Sequence, residues 1–349
     1  MAREIKGDQM DNIEMIVLYK NDFIRFFWLT GLSFLIAMIW TPLFTNFLYK
    51  YKLGKRIRQD KNTPIFSKMH AHKAGTPSIG GILIWVTTAV LTIIFNLERQ
   101  ATWLPLFSLI GAGIIGLVDD LMNIYGVGVH GGGLRFREKF PMYAAIAAVG
   151  AWWFYSKLDW NSIHVPGFGD YTIGLWYIPL FILALVWAAF SSNAGDGLDG
   201  LAGGVFATSY GAYAIIALTQ GKVELALFCG TIMGALLAFL WFNINPARFF
   251  MGDTGSMALG ITLGVIAFLT NSIVVFPLIT LIFTIEGLSF LIQRFWKIVF
   301  KKKLFLSSPI HHHLEAIGWP EQKIVMRFWV ISGASAVIGL AVALFGRGF

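Results

Sequence analysis

The sequence predicts an all-α, polytopic membrane protein of about ten transmembrane helices, with both termini outside the cytoplasm. Three observations carry that expectation. Hydrophobic residues make up 56% of the chain and charged residues only 13%, against roughly 25% charged in a soluble domain, and the mean hydropathy is +0.68. Apolar runs near the length a bilayer requires, about 20 residues with roughly 17–25 tolerated, recur along the 349-residue chain. The basic residues fall in alternate connections between those runs.

Residues 1–22 are polar and mixed in charge. They read as an N-terminal tail, without the charged and apolar regions of a cleavable signal peptide. Residues 23–349 read as one integral-membrane domain. Its expected spans are about 24–48, 79–96, 101–118, 140–156, 173–191, 199–218, 223–242, 255–270, 273–296 and 325–346. The second, fourth and eighth are short, and one long bent helix is an alternative to the break at Asn271-Ser272. The loops after the odd-numbered spans hold 17 Lys and Arg, whereas those after the even-numbered spans hold three, Arg99, Lys157 and Lys222. The positive-inside rule therefore puts the odd loops in the cytoplasm.

Composition also excludes classes. The net charge of +8 is segregated into particular loops, as topology demands, so no nucleic-acid partner is expected. Cys229 is the only cysteine, which rules out an internal disulfide.

Five polar motifs interrupt the apolar sequence, all in or beside the odd loops. Asp119-Asp120 follows Gly116-Leu117-Val118 at the expected end of the third span. Neighbouring residues on a helix point about 100° apart, so one carboxylate can face a cleft while the other meets a metal or a cation. As a mere helix stop the pair is poorly suited, because acidic groups at a C-terminus oppose the macrodipole. Asp253, in Phe250-Met251-Gly252-Asp253-Thr254-Gly255-Ser256, stands where a helix begins. Glycines there allow close backbone approach and free N–H groups suit phosphate, although an Asp at that place also serves as a cap. A carboxylate beside phosphates is how Mg²⁺ is usually held.

Asn193-Ala194-Gly195-Asp196-Gly197-Leu198-Asp199-Gly200 suits a tight turn offering carboxylates to a polar ligand, or an ordinary Asx turn with a cap. His311-His312-His313 lies in a loop too long for a plain connector. Consecutive histidines cannot all ligate one metal from a regular helix, but imidazoles suit phosphate contact and proton handling. The fifth motif is the basic segment Lys68, His70, His72 and Lys73 before Ala74-Gly75-Thr76-Pro77. Such a segment commonly fixes topology and touches anionic lipid, and Arg137 and Lys139 before the fourth span read the same way. Glu286 stands apart near the middle of the ninth span, where an ionisable group faces the bundle or a watery cavity.

These motifs in this order resemble the phospho-N-acetylmuramoyl-pentapeptide transferases, a branch of the polyprenyl-phosphate N-acetylhexosamine-1-phosphate transferases. His72-Lys73-Ala74-Gly75-Thr76-Pro77, Asp119-Asp120, Asp196-Gly197-Leu198-Asp199-Gly200-Leu201-Ala202, Phe250-Met251-Gly252-Asp253, Ser308-Pro309-Ile310-His311-His312-His313 and Gly318-Trp319-Pro320-Glu321 carry the likeness, over residues 20 to 345. The triple histidine followed by Glu315 favours the muramoyl-pentapeptide branch. Two departures stand out: Asn193-Ala194-Gly195-Asp196 where the family has Asn-Leu-Thr-Asp, and the run Gly131-Gly132-Gly133.

The resemblance implies transfer of phospho-MurNAc-pentapeptide from its UDP carrier to undecaprenyl phosphate in peptidoglycan synthesis, with UMP leaving and Mg²⁺ required. It implies a bacterial inner membrane and an active site facing the cytoplasm. Asp253 would ligate Mg²⁺ with support from Asp120, Asp119 would deprotonate or orient the lipid phosphate, and His312 would join the catalytic groups. Asn193, Asp196, Gly197, Leu198, Asp199, Asn243 and Phe250 would hold the nucleotide, with Phe250 as a stacking face. Lys73, Thr76, Lys139, His311 and His313 would meet phosphates or sugar. A homodimer is among the states the sequence allows. Two other readings are a sister transferase using UDP-GlcNAc and, from another class, a secondary transporter. The transporter should show inverted repeats and broken helices at mid-membrane; no internal repeat is visible, and only Glu286 speaks for it.

Overall fold

The structure, a computed structural model, describes residues 2–54, 73, 75–128, 133–134 and 136–347. Lys68, His70, His72, Ala74, Gly131 and Gly132 lie outside the described residues. The first helix, α1 (Ala2–Lys50), runs back through residues expected as a tail. There follow α2 (Gly81–Phe95), α3 (Trp103–Tyr125), α4 (Phe136–Lys157), α5 (Tyr177–Gly195), α6 (Leu201–Thr219), α7 (Val223–Asn243) and α8 (Asp253–Leu269). A single turn, α9 (Phe276–Ile279), leads into α10 (Leu281–Phe300), then short α11 (Ile310–Ala316) and α12 (Glu321–Phe345).

Each expected apolar run folds as helix. Among the described residues, six helices have the length and apolarity to cross a membrane: residues 20–50 of α1, α3, α5 with its preceding turn, α6, α7 and α12. The α9–α10 pair, bent by 85°, makes a seventh if counted as one span. Helices α2 and α8 are apolar but shorter, and α4 carries charges at both ends. The chain is thus an all-α, multi-pass membrane protein. The bend between α9 and α10 falls at Thr280, whose hydroxyl donates to Phe276 O (2.7 Å) just after Pro277 has opened α9.

Helix α8 is the axis of the bundle, with every residue buried and with α2, α3 and α5 packed around it. Its contact with α3 is backbone to backbone, since a Cβ on Gly116 would stand 2.5 Å from the Asp253 carbonyl. Thr254 locks the crossing by donating to Gly113 O (2.8 Å) and accepting from Trp85 Nε1 (3.2 Å). At the far end of α8, Lys222 donates to Leu269 O (2.5 Å), and Arg347 donates to Thr270 O and Asn271 O (2.8 Å each). Cations at a helix C-terminus match its dipole. An antiparallel hairpin, β1 (Ser162–Val165) with β2 (Gly169–Thr172), also docks at that end through His164 N–H to Asn271 Oδ1 (3.0 Å).

Helix α3 departs from expectation. It continues past Asp119-Asp120 to Tyr125 and is ended by left-handed Gly126 (φ 71°), whose N–H bonds back to Asn123 O. The carboxylates are therefore not a helix stop. They sit inside the last two turns, on a side buried against α8.

Candidate active site

The N-terminus of α8 and the last turns of α3 bring Asp253, Asp119 and Asp120 together. All three are buried, at 8%, 5% and 2% exposure, and one ligand oxygen from each lies within 4.8 Å of the others. Gly252 makes the approach possible. Its φ of 73° suits glycine, and a Cβ there would stand 2.5 Å from Asp120 Oδ2. Asp120 Oδ2 accepts the Thr254 N–H (3.0 Å), an N-terminal amide of α8. Asp119 Oδ1 accepts the Leu134 N–H (2.5 Å) from the loop leading to α4.

One cation enters this nest of carboxylates. Lys139, in the first turn of α4, pairs with Asp119 Oδ2 (2.6 Å) and with Asp253 Oδ2. Burial alone would lower the Lys139 ammonium, but the Asp253 and Asp119 charges outweigh it and hold it above the usual lysine value. Asn193, at the end of α5, donates to Asp253 Oδ1 (2.8 Å) and Ser256 Oγ (3.3 Å).

A second polar group lies where α5, α6, α7 and α12 meet. Lys73 Nζ contacts Asp199 Oδ1 (2.7 Å) and Glu321 Oε1 (2.5 Å) and lies over the Phe250 ring, 5.8 Å from its centroid. Asp199 Oδ2 accepts from Asn245 Nδ2 (3.0 Å) and the Ala247 N–H (3.1 Å), and Glu321 Oε1 accepts the Asp199 N–H (2.7 Å). Asn243 uses both ends of its amide on the backbone, accepting from Gly200 N–H (2.9 Å) and donating to Phe249 O (2.9 Å). Phe250 is pinned by its own main chain to Pro77 O (2.7 Å) and Gly80 N (2.8 Å), which ties this motif to the segment carrying Thr76. Thr76 N–H in turn donates to Lys73 O (3.3 Å), while Leu198 is buried under the α5–α6 turn.

The histidines lie on α11, not in an open loop, and they divide. His311 is fully buried, with Nδ1 2.9 Å from Glu286 Oε2, and a Cβ on Gly197 would stand 2.2 Å from its Nε2. His312 pairs with Glu315 Oε2 (2.7 Å), one turn on. His313 turns toward the preceding loop, accepting the Leu306 N–H (3.3 Å) beside the Phe305 ring.

The family model of glycosyl transferase family 4 matches residues 102–271. A phospho-N-acetylmuramoyl-pentapeptide-transferase of Geobacillus sp. is 39% identical over 317 residues, covering 89% of this chain and 95% of the relative. Its namesake in Chloroflexus aggregans is 36% identical over 338 residues, 93% and 91% of the two chains. That of Caldanaerobacter subterraneus is 36% identical over 304 residues, 87% and 94%. The chain belongs to the phospho-N-acetylmuramoyl-pentapeptide transferase family.

In this phosphoglycosyl transferase the acidic cluster suits a metal. Its donors are hard carboxylate oxygens with no thiolate among them, a set that favours Mg²⁺ over zinc. With one lysine set among three buried carboxylates, the nest retains room for further positive charge. Asn245 went unread in the sequence, and Glu321 was read only as part of a motif, without a partner. Asn245 and the Glu321 carboxylate join the Asp199 group across 46 and 122 residues. The Asn245-Pro246 turn after a long apolar helix was the only local hint of the first.

Proposed function

We propose that this transferase moves phospho-MurNAc-pentapeptide from UDP-MurNAc-pentapeptide to undecaprenyl phosphate, giving lipid I and UMP for peptidoglycan synthesis. The observation that carries the reading is the buried nest of Asp119, Asp120 and Asp253 around Lys139, at the end of the bundle where the other motifs converge. Phosphoryl transfer depends mostly on positioning reactants and neutralising charge. This nest offers the positioning, and with Lys139 and a bound Mg²⁺ it would offer the neutralisation.

Asp253 and Asp120 would hold Mg²⁺, which when bound neutralises charge on the diphosphate. Asp119 orients the acceptor phosphate and takes its proton, and Lys139 keeps that carboxylate in place while offering charge to the incoming anion. The turn Asp196–Asp199, with Asn193, Asn243 and Phe250, forms the nucleotide side, and Lys73 already lies over the Phe250 ring. Thr76, His311, His312 and His313 lie along the phosphate and sugar path, with His312 among the catalytic groups. A small apolar pocket lined by Phe140, Tyr143, Val186, Ala189, Phe190 and Met257 lies beside Lys139 between α4, α5 and α8. The excess of basic residues in the loops at this end supports a cytoplasmic site in a bacterial inner membrane.

Glu286, the residue that spoke for a transporter, is hydrogen-bonded to His311. The test is UMP release by the purified protein with polyprenyl phosphate and either UDP-MurNAc-pentapeptide or UDP-GlcNAc. Turnover with the muramoyl substrate alone is expected. Turnover with UDP-GlcNAc alone would reassign the chain to the sister activity.

A further inference from the structure

Glu286 is a fully buried carboxylate in a helix whose neighbouring turns are apolar. Its partner His311 comes from α11, and the two elements are fastened together beside the pair. Ser289, one turn on from Glu286, accepts the Ile310 N–H (2.9 Å) at the start of α11. Gln293, one turn further, donates to Phe305 O (3.0 Å) and accepts the N–H groups of Leu304 and Phe305. One edge of α10 therefore fixes the whole approach to the histidines.

The pair is incomplete. Glu286 Oε1 and His311 Nε2 are buried without a hydrogen-bond partner, a condition that native proteins rarely tolerate without a ligand or water to meet it. The free ring nitrogen lies against the backbone at Gly197, where any side chain would collide with it. Gly197 belongs to the turn assigned above to the nucleotide. The other titratable ring beside His311 is His312, 4.0 Å away between centroids and held by Glu315. With Nδ1 of His311 held by Glu286, Nε2 is the ring's remaining hydrogen-bonding atom.

We propose that Glu286 is a positioning residue for the donor nucleotide: by holding Nδ1 of His311 it aims Nε2 across Gly197 at a polar group of that nucleotide. The inference rests on the transferase reading. It gives the deep carboxylate a task in binding, with no direct contact to substrate.

The test uses UMP as the probe, by calorimetry on the full chain in detergent, with wild type, Glu286→Gln, His311→Gln and the double variant. The amide keeps the shape of Glu286 but removes its charge. Glu286→Gln is expected to weaken UMP binding by about ten-fold or more, and to raise KM for the UDP substrate while leaving KM for polyprenyl phosphate unchanged. In the His311→Gln background the same change should have no further effect, since Glu286 acts only through that ring. Should Glu286→Gln not fold, Glu286→Asp, which keeps the charge one methylene short of the ring, should bind UMP with intermediate affinity. Wild-type UMP affinity in either Glu286 variant, or independent losses that multiply in the double variant, would overturn the proposal. A wild type that turns over its substrates yet shows a Glu286 variant unchanged sinks this inference alone; a wild type that neither binds UMP nor turns over sinks the transferase reading with it.

Discussion

The Lys73 ammonium lies 2.7 Å from Asp199 Oδ1, joining residues 126 apart in sequence, and both side chains are almost sealed from water. Glu321 shares the same ammonium. A buried charge stripped of its partner is costly, typically about 3–5 kcal/mol. Lys73→Met, which would leave two acidic groups facing each other, is expected to lower the melting temperature by several degrees and to weaken UMP binding. An unchanged melting curve would mean that Lys73 is not the keystone of this group.

Asp199→Asn is a milder change, since the amide keeps the shape but disturbs contacts with Lys73, Asn245 and the Ala247 N–H. The expected loss is about 1–3 kcal/mol, roughly ten- to a hundred-fold in UMP affinity. Calorimetry reads it directly, and wild-type affinity would detach Asp199 from the nucleotide.

Asp253→Asn should nearly abolish turnover at any practical Mg²⁺ concentration, because it removes the proposed metal ligand and one of the two charges on Lys139. Asp119→Asn should destroy the chemical step while leaving nucleotide binding near normal, because its proposed partner is the acceptor phosphate. Single-turnover assays alongside calorimetry separate the two. If Asp119→Asn lost nucleotide affinity and kept its chemical step, the assignment would be reversed.

Lys222 gives a pH signature at the opposite end of α8. Burial, and then the positive charge of Arg347, push its ammonium down to about 8, whereas an unfolded lysine sits near 10.4. Between these values the unfolded chain holds a proton that the folded chain lacks, so this residue makes stability rise with pH across the window. The melting temperature of wild type minus that of Lys222→Met should therefore increase from pH 8 to pH 10. A flat or falling difference would contradict it.

Topology is open to chemical labelling because Cys229, the only native thiol, is free and buried. A cysteine at Ser307, between α10 and α11, should react with an impermeant thiol reagent only from the cytoplasm. One at Ser162, in β1, should react only from outside. The reverse pattern would turn the site to the other face of the membrane.

The sequence made the carboxylates legible because charge in a chain this apolar is expensive to bury and stands out wherever it occurs. Asp119 and Asp120 were found for that reason, and Asp253 through the glycines that flank it at the start of a helix. The end of α3 was misplaced for the same reason: a polar pair after an apolar run reads as a boundary, and only packing against α8 carries the helix on to Gly126. The hairpin Ser162–Thr172 went unread because four-residue strands show too little alternation to register. Glu286 was visible as an anomaly but its partner was not, since nothing local links it to a histidine 25 residues away. The pairings of Lys73 with Glu321 and of Asn245 with Asp199 are likewise made only by the fold.

The length of α8 has a bearing on how a greasy and a water-soluble reactant meet. Seventeen residues at about 1.5 Å each make a rod of about 26 Å, shorter than the roughly 30 Å hydrocarbon slab. Lys222 and Arg347 hold its far end; with that end at the opposite surface, as the proposed topology has it, the end bearing Asp253 would stop near the level where acyl chains give way to headgroups. A lipid phosphate in that leaflet is already at this depth. In the proposed reaction the acceptor would then reach the carboxylates by sliding sideways within its own monolayer, and only the soluble donor would have to descend.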